Sequence, residues 1–316
     1  MVKKFLAIGE LLWDILPDER KLGGAPANLA YRLTQLGNPT WLLTRVGNDS
    51  DGRMALKILK NHGFNTELIQ KDFNHPTGTV NVYFDDYMNP DYTINRPAAY
   101  DFISGDEKLG QLAGSIDCVV YGTLVQRTEQ TALTLLKLID SAENALKFCD
   151  INLRKECYNL QIIERSLNKA TVVKLNHHEV LELGSLPGIN EKQLIPVIRR
   201  LVEIYPLDTC LVTLEDEGAL ALDKTGNIYY SPGFNVNMED PLGAGDAFSA
   251  AFLNEFLKSG DIIKSLDSGN LFGAMVVGQK GAMQPITREM TASFITSHKG
   301  RKVKEEYREF WKSGPL

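Results

Sequence analysis

Short apolar runs rich in β-branched residues alternate along this chain with stretches whose apolar positions recur every three to four residues. Residues 2–8, 41–46, 118–121, 172–175 and 210–214 have the length and bounding turns of buried strands. Between them, residues 27–36, 51–62, 131–142, 194–204 and 247–258 carry the period of amphipathic helices. Strands that alternate with helices predict an α/β fold with a mostly parallel sheet and helices on both faces, because parallel neighbours need a crossover long enough to hold a helix. Ligands of such sheets collect outside the carboxyl ends of the strands.

Two segments break the rhythm. Residues 79–84 and 91–96 alternate polar and apolar positions around the turn-rich Asp85-Asp86-Tyr87-Met88-Asn89-Pro90, which is a hairpin signal. Inside an α/β chain it forms either a small sheet projecting as a lid or interface, or an edge of the main sheet. No unit of about 20 to 50 residues repeats, so the chain is not a solenoid or propeller.

Composition narrows the partners. The 316 residues carry 34 basic and 40 acidic side chains, a net charge of −6, which argues against a large nucleic-acid surface or an anionic-membrane anchor. No run approaches the roughly 18 apolar residues that span a bilayer. The N-terminal apolar run stops at Gly9-Glu10, too soon for a signal-peptide core, so a cytoplasmic protein acting on a small molecule is expected. Cys118, Cys149, Cys157 and Cys210 show no metal-like or CxxC spacing and read as reduced thiols.

Candidate chemistry clusters after the expected strands. Asp240-Pro241-Leu242-Gly243-Ala244-Gly245-Asp246 leads into a helix, and small residues there let unpaired N–H groups approach an anion closely. Asp246 would repel that anion unless it handles a proton beside it, as a general base for a hydroxyl; the alternative is a first-turn acid that complements the helix dipole. Gly23-Gly24-Ala25-Pro26-Ala27-Asn28 permits a tight turn, with Asn28 offering donor and acceptor to a hydroxylated molecule. Upstream, Gly9-Glu10-Leu11-Leu12-Trp13-Asp14 sets an acidic residue just beyond the first strand. Asn176-His177-His178-Glu179 either holds Mg²⁺ through water or forms a capping box. Arg154 follows a strand end and meets a phosphate or a surface acid. Thr213 and Gly218 line a nucleotide or an ordinary turn. GxxxxGK[ST], GxGxxG after a strand, HExxH and GxSxG are absent, and His178-Glu179 lacks the second histidine of a zinc motif.

The glycine-rich segment from Gly23 to Ala30, with Gly37 and Gly47 downstream, and the Asp240 to Asp246 segment together resemble the two signatures of the ribokinase-like, or PfkB-type, carbohydrate kinases. Asn176 and Glu179 fit the NxxE motif of that family, and the stretch from Gly9 to Pro17 is most similar to bacterial fructokinases. The resemblance implies a ribokinase-like three-layer αβα sandwich, one domain over residues 1–316, with a small β lid from about residues 10–22 and 79–100. It implies ATP-dependent phosphorylation of a sugar, D-fructose first, with ribose and 2-keto-3-deoxygluconate as alternative acceptors and a catalytically silent sensor as the alternative from another class. Asp246 would be the base and Gly243, Ala244 and Gly245 the anion hole. Asp14, Gly24, Asn28 and Arg96 would hold the sugar. Arg154, Asn176, Thr213, Gly218, Asn270 and Gly273 would meet ATP, and Glu179 would organise Mg²⁺ through water. Backbone oxygens around Asp240, Leu242, Val276, Gln279 and Gly281 would hold potassium, and the lid would pair two copies as a homodimer. Pro241 stands where many relatives carry Thr, and Glu215 where a glycine is frequent.

Overall fold

The computed structural model describes residues 2–84, 90–298 and 300–311. The first third of the chain runs β1 (Phe5–Ile8), β2 (Leu12–Ile15), β3 (Arg20–Gly23), α1 (Ala25–Gln35), β4 (Thr40–Gly47), α2 (Ser50–Asn61), β5 (Ile69–Asp72), β6 (Gly78–Phe84) and β7 (Pro90–Ile94). There follow α3 (Glu107–Ala113), β8 (Cys118–Gly122), α4 (Glu129–Ser141), β9 (Leu146–Asp150), α5 (Leu160–Lys169), β10 (Val172–Asn176), α6 (His177–Gly184) and α7 (Leu194–Ile204). The last part holds β11 (Thr209–Thr213), β12 (Ala219–Asp223), β13 (Ile228–Ser231), β14 (Gly233–Phe234), α8 (Ala244–Ser259), α9 (Ile262–Val277), α10 (Arg288–Ser297) and β15 (Arg301–Lys302).

The main sheet has nine strands in the order β13-β12-β11-β10-β9-β8-β1-β4-β5. Neighbours pair parallel except β11–β12 and β12–β13, so the mostly parallel sheet expected from the sequence carries an antiparallel edge. Alternate residues of β1 feed two separate cores. Phe5 and Ala7 pack with Leu29 and Leu33 of α1 and Phe248 and Phe252 of α8, while Leu6 and Ile8 pack with Leu135 of α4, Leu167 of α5 and Leu201 of α7. Burying each such Leu or Phe is worth about 1.5–3 kcal/mol. This two-sided burial is the three-layer sandwich. From β1 the chain crosses to β4 on one side and later to β8 on the other, which puts the point where strand order reverses, and hence a ligand crevice, between β1 and β8.

The expected elements form, with shifted starts. The 2–8 strand begins at Phe5. The 27–36 helix begins at Ala25, because Gly24 caps it at φ 111° and Pro26 suits a first turn. The 247–258 helix begins at Ala244, since its first turn is built of small residues that carry no apolar period. The hairpin is real: Val80 pairs Ile94 and Tyr83 pairs Asp91, antiparallel. Its turn, residues 85–89, lies outside the described residues, and Asn95 and Arg96 fall beyond the strand. The hairpin is not an edge of the main sheet. β2 pairs β6 in parallel and β3 antiparallel, giving a separate four-stranded sheet β3-β2-β6-β7 over the crevice.

Candidate active site

Two helices begin at the crevice, and glycines let them do so. Gly243, the N-cap of α8, has φ 79°, and a Cβ there would lie 2.4 Å from the Ala282 Cβ. Gly24, the N-cap of α1, has φ 111°, and its Cβ would lie 2.3 Å from the Glu10 carbonyl oxygen. Both positions therefore exclude side chains on two counts, backbone conformation and space. Asp246, in the first turn of α8, accepts a hydrogen bond from Asn28 Nδ2 of α1 at 2.8 Å. Asn28 is buried, and its Oδ1 has no partner among the described residues. A buried acceptor left open is a place for a hydroxyl.

Three carboxyl groups surround this point. Burial raises Asp246 to about 6, with Asp150 adding to the rise and Asn28, Lys174 and Arg154 opposing it. Burial raises Asp14, on β2, to about 6, against the pull of Arg154 and Lys21. Burial likewise raises Glu10 to about 7, although its Oε1 accepts from the Ala25 amide at 3.1 Å and so braces the start of α1. All three line one open cleft. Leu12, Val80, Val82, Tyr92 and Ile94 of the four-stranded sheet line the same cleft.

The cationic side of the cleft contains a pair that local sequence reasoning missed. Lys174, in the middle of β10, puts Nζ 3.1 Å from both carboxylate oxygens of Asp150 at the end of β9, and both residues are buried. Burial opposes the charge on Lys174, but Asp150 and Glu179 outweigh it and keep the ammonium protonated. A Cβ on Gly245 would stand 3.3 Å from Nζ, so the lysine lies against the first turn of α8. The signal was present as a charged residue inside the apolar run Val172-Val173-Lys174-Leu175. Gly243 and Gly245 line the cleft. The Ala244 amide instead donates to the Pro241 carbonyl at 3.2 Å, so a turn of the protein already engages one of the three amides expected to form an anion hole. Arg154 is exposed and lines the cleft from the loop after β9.

Other predicted residues lie elsewhere or are committed. Asn176 and Glu179 form the capping box: Asn176 Oδ1 accepts from the Glu179 amide at 2.9 Å and Glu179 Oε2 from the Asn176 amide at 2.8 Å. Glu179 Oε1 also accepts from Leu153 N at 2.8 Å. Thr213, Gly218, Asn270 and Gly273 are not among the residues lining this cleft. The Asn270 amide donates to the Ser231 oxygens and the Pro232 carbonyl, and Gly273 lets α9 approach the Ala244 carbonyl. Arg96 is exposed and donates to the Glu156 carbonyl and to Cys157 Sγ, away from the cleft.

The two loops assigned to a monovalent cation do meet. The Asp240 carboxylate accepts from Leu242 N and Gly281 N at 3.0 Å each, its own amide donates to Val277, and Gln279 N donates to Val276. Two protein cations also reach this region. Lys21 Nζ lies 2.9 Å from Asp240 Oδ2, and the buried Arg32 guanidinium donates to the carbonyls of Ala282 and Gln284 at 3.0 Å each.

Residues 18–289 match the model of the pfkB family carbohydrate kinases. A fructokinase of Escherichia coli is 29% identical over 90% of this chain and 96% of its own length. Among solved structures, an uncharacterized sugar kinase from Pyrococcus horikoshii in complex with ATP aligns with a TM-score of 0.77 at 26% identity, covering 90% of this chain and 96% of that one. A fructokinase from Xylella fastidiosa with bound ATP shares the fold at a TM-score of 0.83 and 22% identity, covering 94% and 99%. A family match over most of the chain, on a fold whose crevice joins two glycine-capped helices at one carboxylate, makes this protein a member of the pfkB family of carbohydrate kinases.

Proposed function

We propose that the protein transfers the γ-phosphoryl group of ATP to a primary hydroxyl of a sugar, the 6-hydroxyl of D-fructose. The observation that carries this reading is Asp246: a carboxyl raised to about 6, held by Asn28 on the acceptor-rich side and standing in the first turn of α8 on the other. A base with a pKa one unit below neutral is mostly ionised at pH 7 and still takes a proton readily. Asp246 removes the proton from the hydroxyl, the oxygen attacks the γ-phosphorus, and the bond from that phosphorus to the β,γ-bridging oxygen breaks, releasing ADP. The Gly243 and Gly245 amides, with Lys174 and Arg154, face the charge that spreads over the transferring group. Glu10, Asp14 and Asn28 offer acceptors to a neutral polyol, in keeping with a sugar and against a phosphorylated one.

Mg²⁺ supplies charge neutralisation on the phosphates. Glu179 suits it only through water, because each carboxylate oxygen already accepts an amide and keeps one lone pair. Lys21 and Arg32 beside the Asp240 and Gly281 loops support a weak dependence on potassium. The lid sheet exposes Tyr83 and Tyr92, which suits pairing with a second copy. Hydrogen bonds from Asn28 to Asp246 and Asn38 to Asn254 tie the ends of the chain together, in keeping with one kinase domain over residues 1–316, and a cytoplasmic location suits four buried free thiols.

The test is a coupled ADP-release assay with MgATP against fructose, ribose, 2-keto-3-deoxygluconate, fructose 6-phosphate and adenosine, with and without potassium. Turnover that prefers fructose supports the full reading. Preference for another acceptor removes the fructose assignment and keeps the chemistry. No turnover with any of the five removes both.

A further inference from the structure

A cluster beyond the proposed reaction sits where β10 and β11 end. His177 and His178 open α6, with ring centroids 3.8 Å apart and tilted by 40°. Glu215 begins the turn after β11, its backbone in the left-handed region at φ 54°, which is uncommon for a residue with a long side chain. Asn176 and Thr213 are paired residues of adjacent strands, so the next residues of each strand emerge side by side. One ligand atom from each of His177, His178 and Glu215 lies within 4.8 Å of the other two, and His178 Nε2 stands 3.8 Å from Glu215 Oε1.

We propose that His177, His178 and Glu215 bind one divalent transition-metal ion of the zinc or cobalt type. Two imidazole nitrogens and a carboxylate oxygen are the donor set of such ions, whereas Mg²⁺ prefers oxygen alone, so the ion differs in kind from the Mg²⁺ that travels with a nucleotide. Donors on a tetrahedral zinc stand about 3.3 Å apart, given metal–nitrogen bonds of about 2.0–2.1 Å. The donor atoms, within 4.8 Å of one another, must therefore close by up to about 1.5 Å on binding. His178 and Glu215 are free to make that movement, their side chains being 75% and 71% exposed. The dipole at the start of α6 disfavours a cation there, and the full negative charge of Glu215 offsets that partial charge. Asp216 and Glu217 are spent on Lys302 and Lys304, which leaves Glu215 as the acid of this turn directed at the histidines.

Local spacing conceals the site. The motif His178-Glu179 lacks the histidine of a zinc helix, and Glu179 turns inward to accept two backbone amides. The third donor comes from the neighbouring strand, 37 positions after His178. A bound ion would join α6 to the turn after β11.

The experiment is a titration of Co²⁺ into the full chain with excess Mg²⁺ and no nucleotide or sugar, read by visible absorption, followed by displacement with Zn²⁺. The expected result is one Co²⁺ per chain, displaced by Zn²⁺, with affinity weakened at least about 10-fold in His178→Ala and in Glu215→Gln and unchanged in the control His298→Ala. Both test positions are exposed, and circular dichroism checks that the variants fold. Absence of stoichiometric uptake at millimolar Co²⁺, or uptake unchanged in either variant, overturns the proposal. Because neither substrate is present, that failure is distinct from a failure of the kinase reading.

Discussion

Asp246→Asn is the sharpest perturbation of the proposed chemistry. The amide is nearly isosteric, and its oxygen still accepts the 2.8 Å hydrogen bond from Asn28 Nδ2, so the junction of α1 and α8 is kept. What is lost is the ability to take a proton. With a pKa raised to about 6, the carboxylate is about nine-tenths ionised at pH 7, so almost all of the wild-type protein starts in the competent form. General-base contributions run from about 10² to 10⁴, equivalent to about 2.7–5.4 kcal/mol of transition-state stabilisation. The expected outcome is a kcat lowered at least about 10²-fold with the sugar KM changed by less than about threefold. The assay is coupled ADP release at saturating MgATP, beside sugar binding by calorimetry. The variant should melt no lower than the wild type, because a neutral amide has no desolvation penalty where the carboxylate has one. A kcat within about threefold of the wild type would refute the assignment of Asp246 as base.

Three further outcomes follow from the same geometry. Asp246, Asp14 and Glu10 have folded-state pKa values raised to about 6, 6 and 7, so these three groups bind more protons in the folded protein than in the unfolded chain between about pH 4 and 7. Their contribution is fully present below the unfolded values and lost as pH rises through the folded ones; His177, held low by burial, opposes this weakly, and unliganded stability by urea unfolding should decline from pH 5 to pH 8. Stability that rises steadily over that interval would contradict it. Lys174→Met leaves Asp150 buried without its cation and should cost about 3–5 kcal/mol in urea unfolding as well as kcat; Lys174→Met with Asp150→Leu should regain much of the stability and none of the activity, and recovery of activity would show that the pair serves folding alone. Gly243→Ala must adopt φ 79° and place a Cβ 2.4 Å from that of Ala282, so both thermal stability and kcat should fall, and an unchanged melting temperature would show that the loops separate easily.

Much of the fold was legible because strand and helix periods are local properties. Both cores follow from β1 being apolar at every position, Phe5 to Ile8, which requires cover on two faces. Starts of helices were less legible. Gly24 and Gly243 cap their helices through positive φ, and the small residues after them carry no hydrophobic period. The antiparallel edge of β12 and β13 was hidden because short apolar strands read alike in either direction. Asp246, Asn28, Asp14 and Gly24, which stand out in the sequence as acids, an amide and a glycine near the starts of expected elements, line one cleft together. Lys174 and Glu10 were not singled out, since their importance rests on what a neighbouring strand or helix brings: Asp150 in one case, the Ala25 amide in the other.

The same contrast explains which predicted residues the structure leaves away from the cleft. Asn176 and Glu179 satisfy each other as a capping box, and a carboxylate already accepting two amides is a poor direct metal ligand whatever motif it matches. Arg96 stands just beyond β7 and bonds the Glu156 carbonyl instead of facing the acids within the cleft. A guanidinium at the strand end of the small sheet would reach a substrate only if that sheet carried it there, so the proposed sugar contact of Arg96 would need a closed state. Asn28 and Asp246 meet across the starts of α1 and α8, and Lys174 meets Asp150, all on elements of the main body. On the proposed reading, the base and the cationic side of the cleft are preorganised by packing, while contacts made by the lid would form on closure, an order that would exclude water from the γ-phosphoryl group until a sugar hydroxyl is in place.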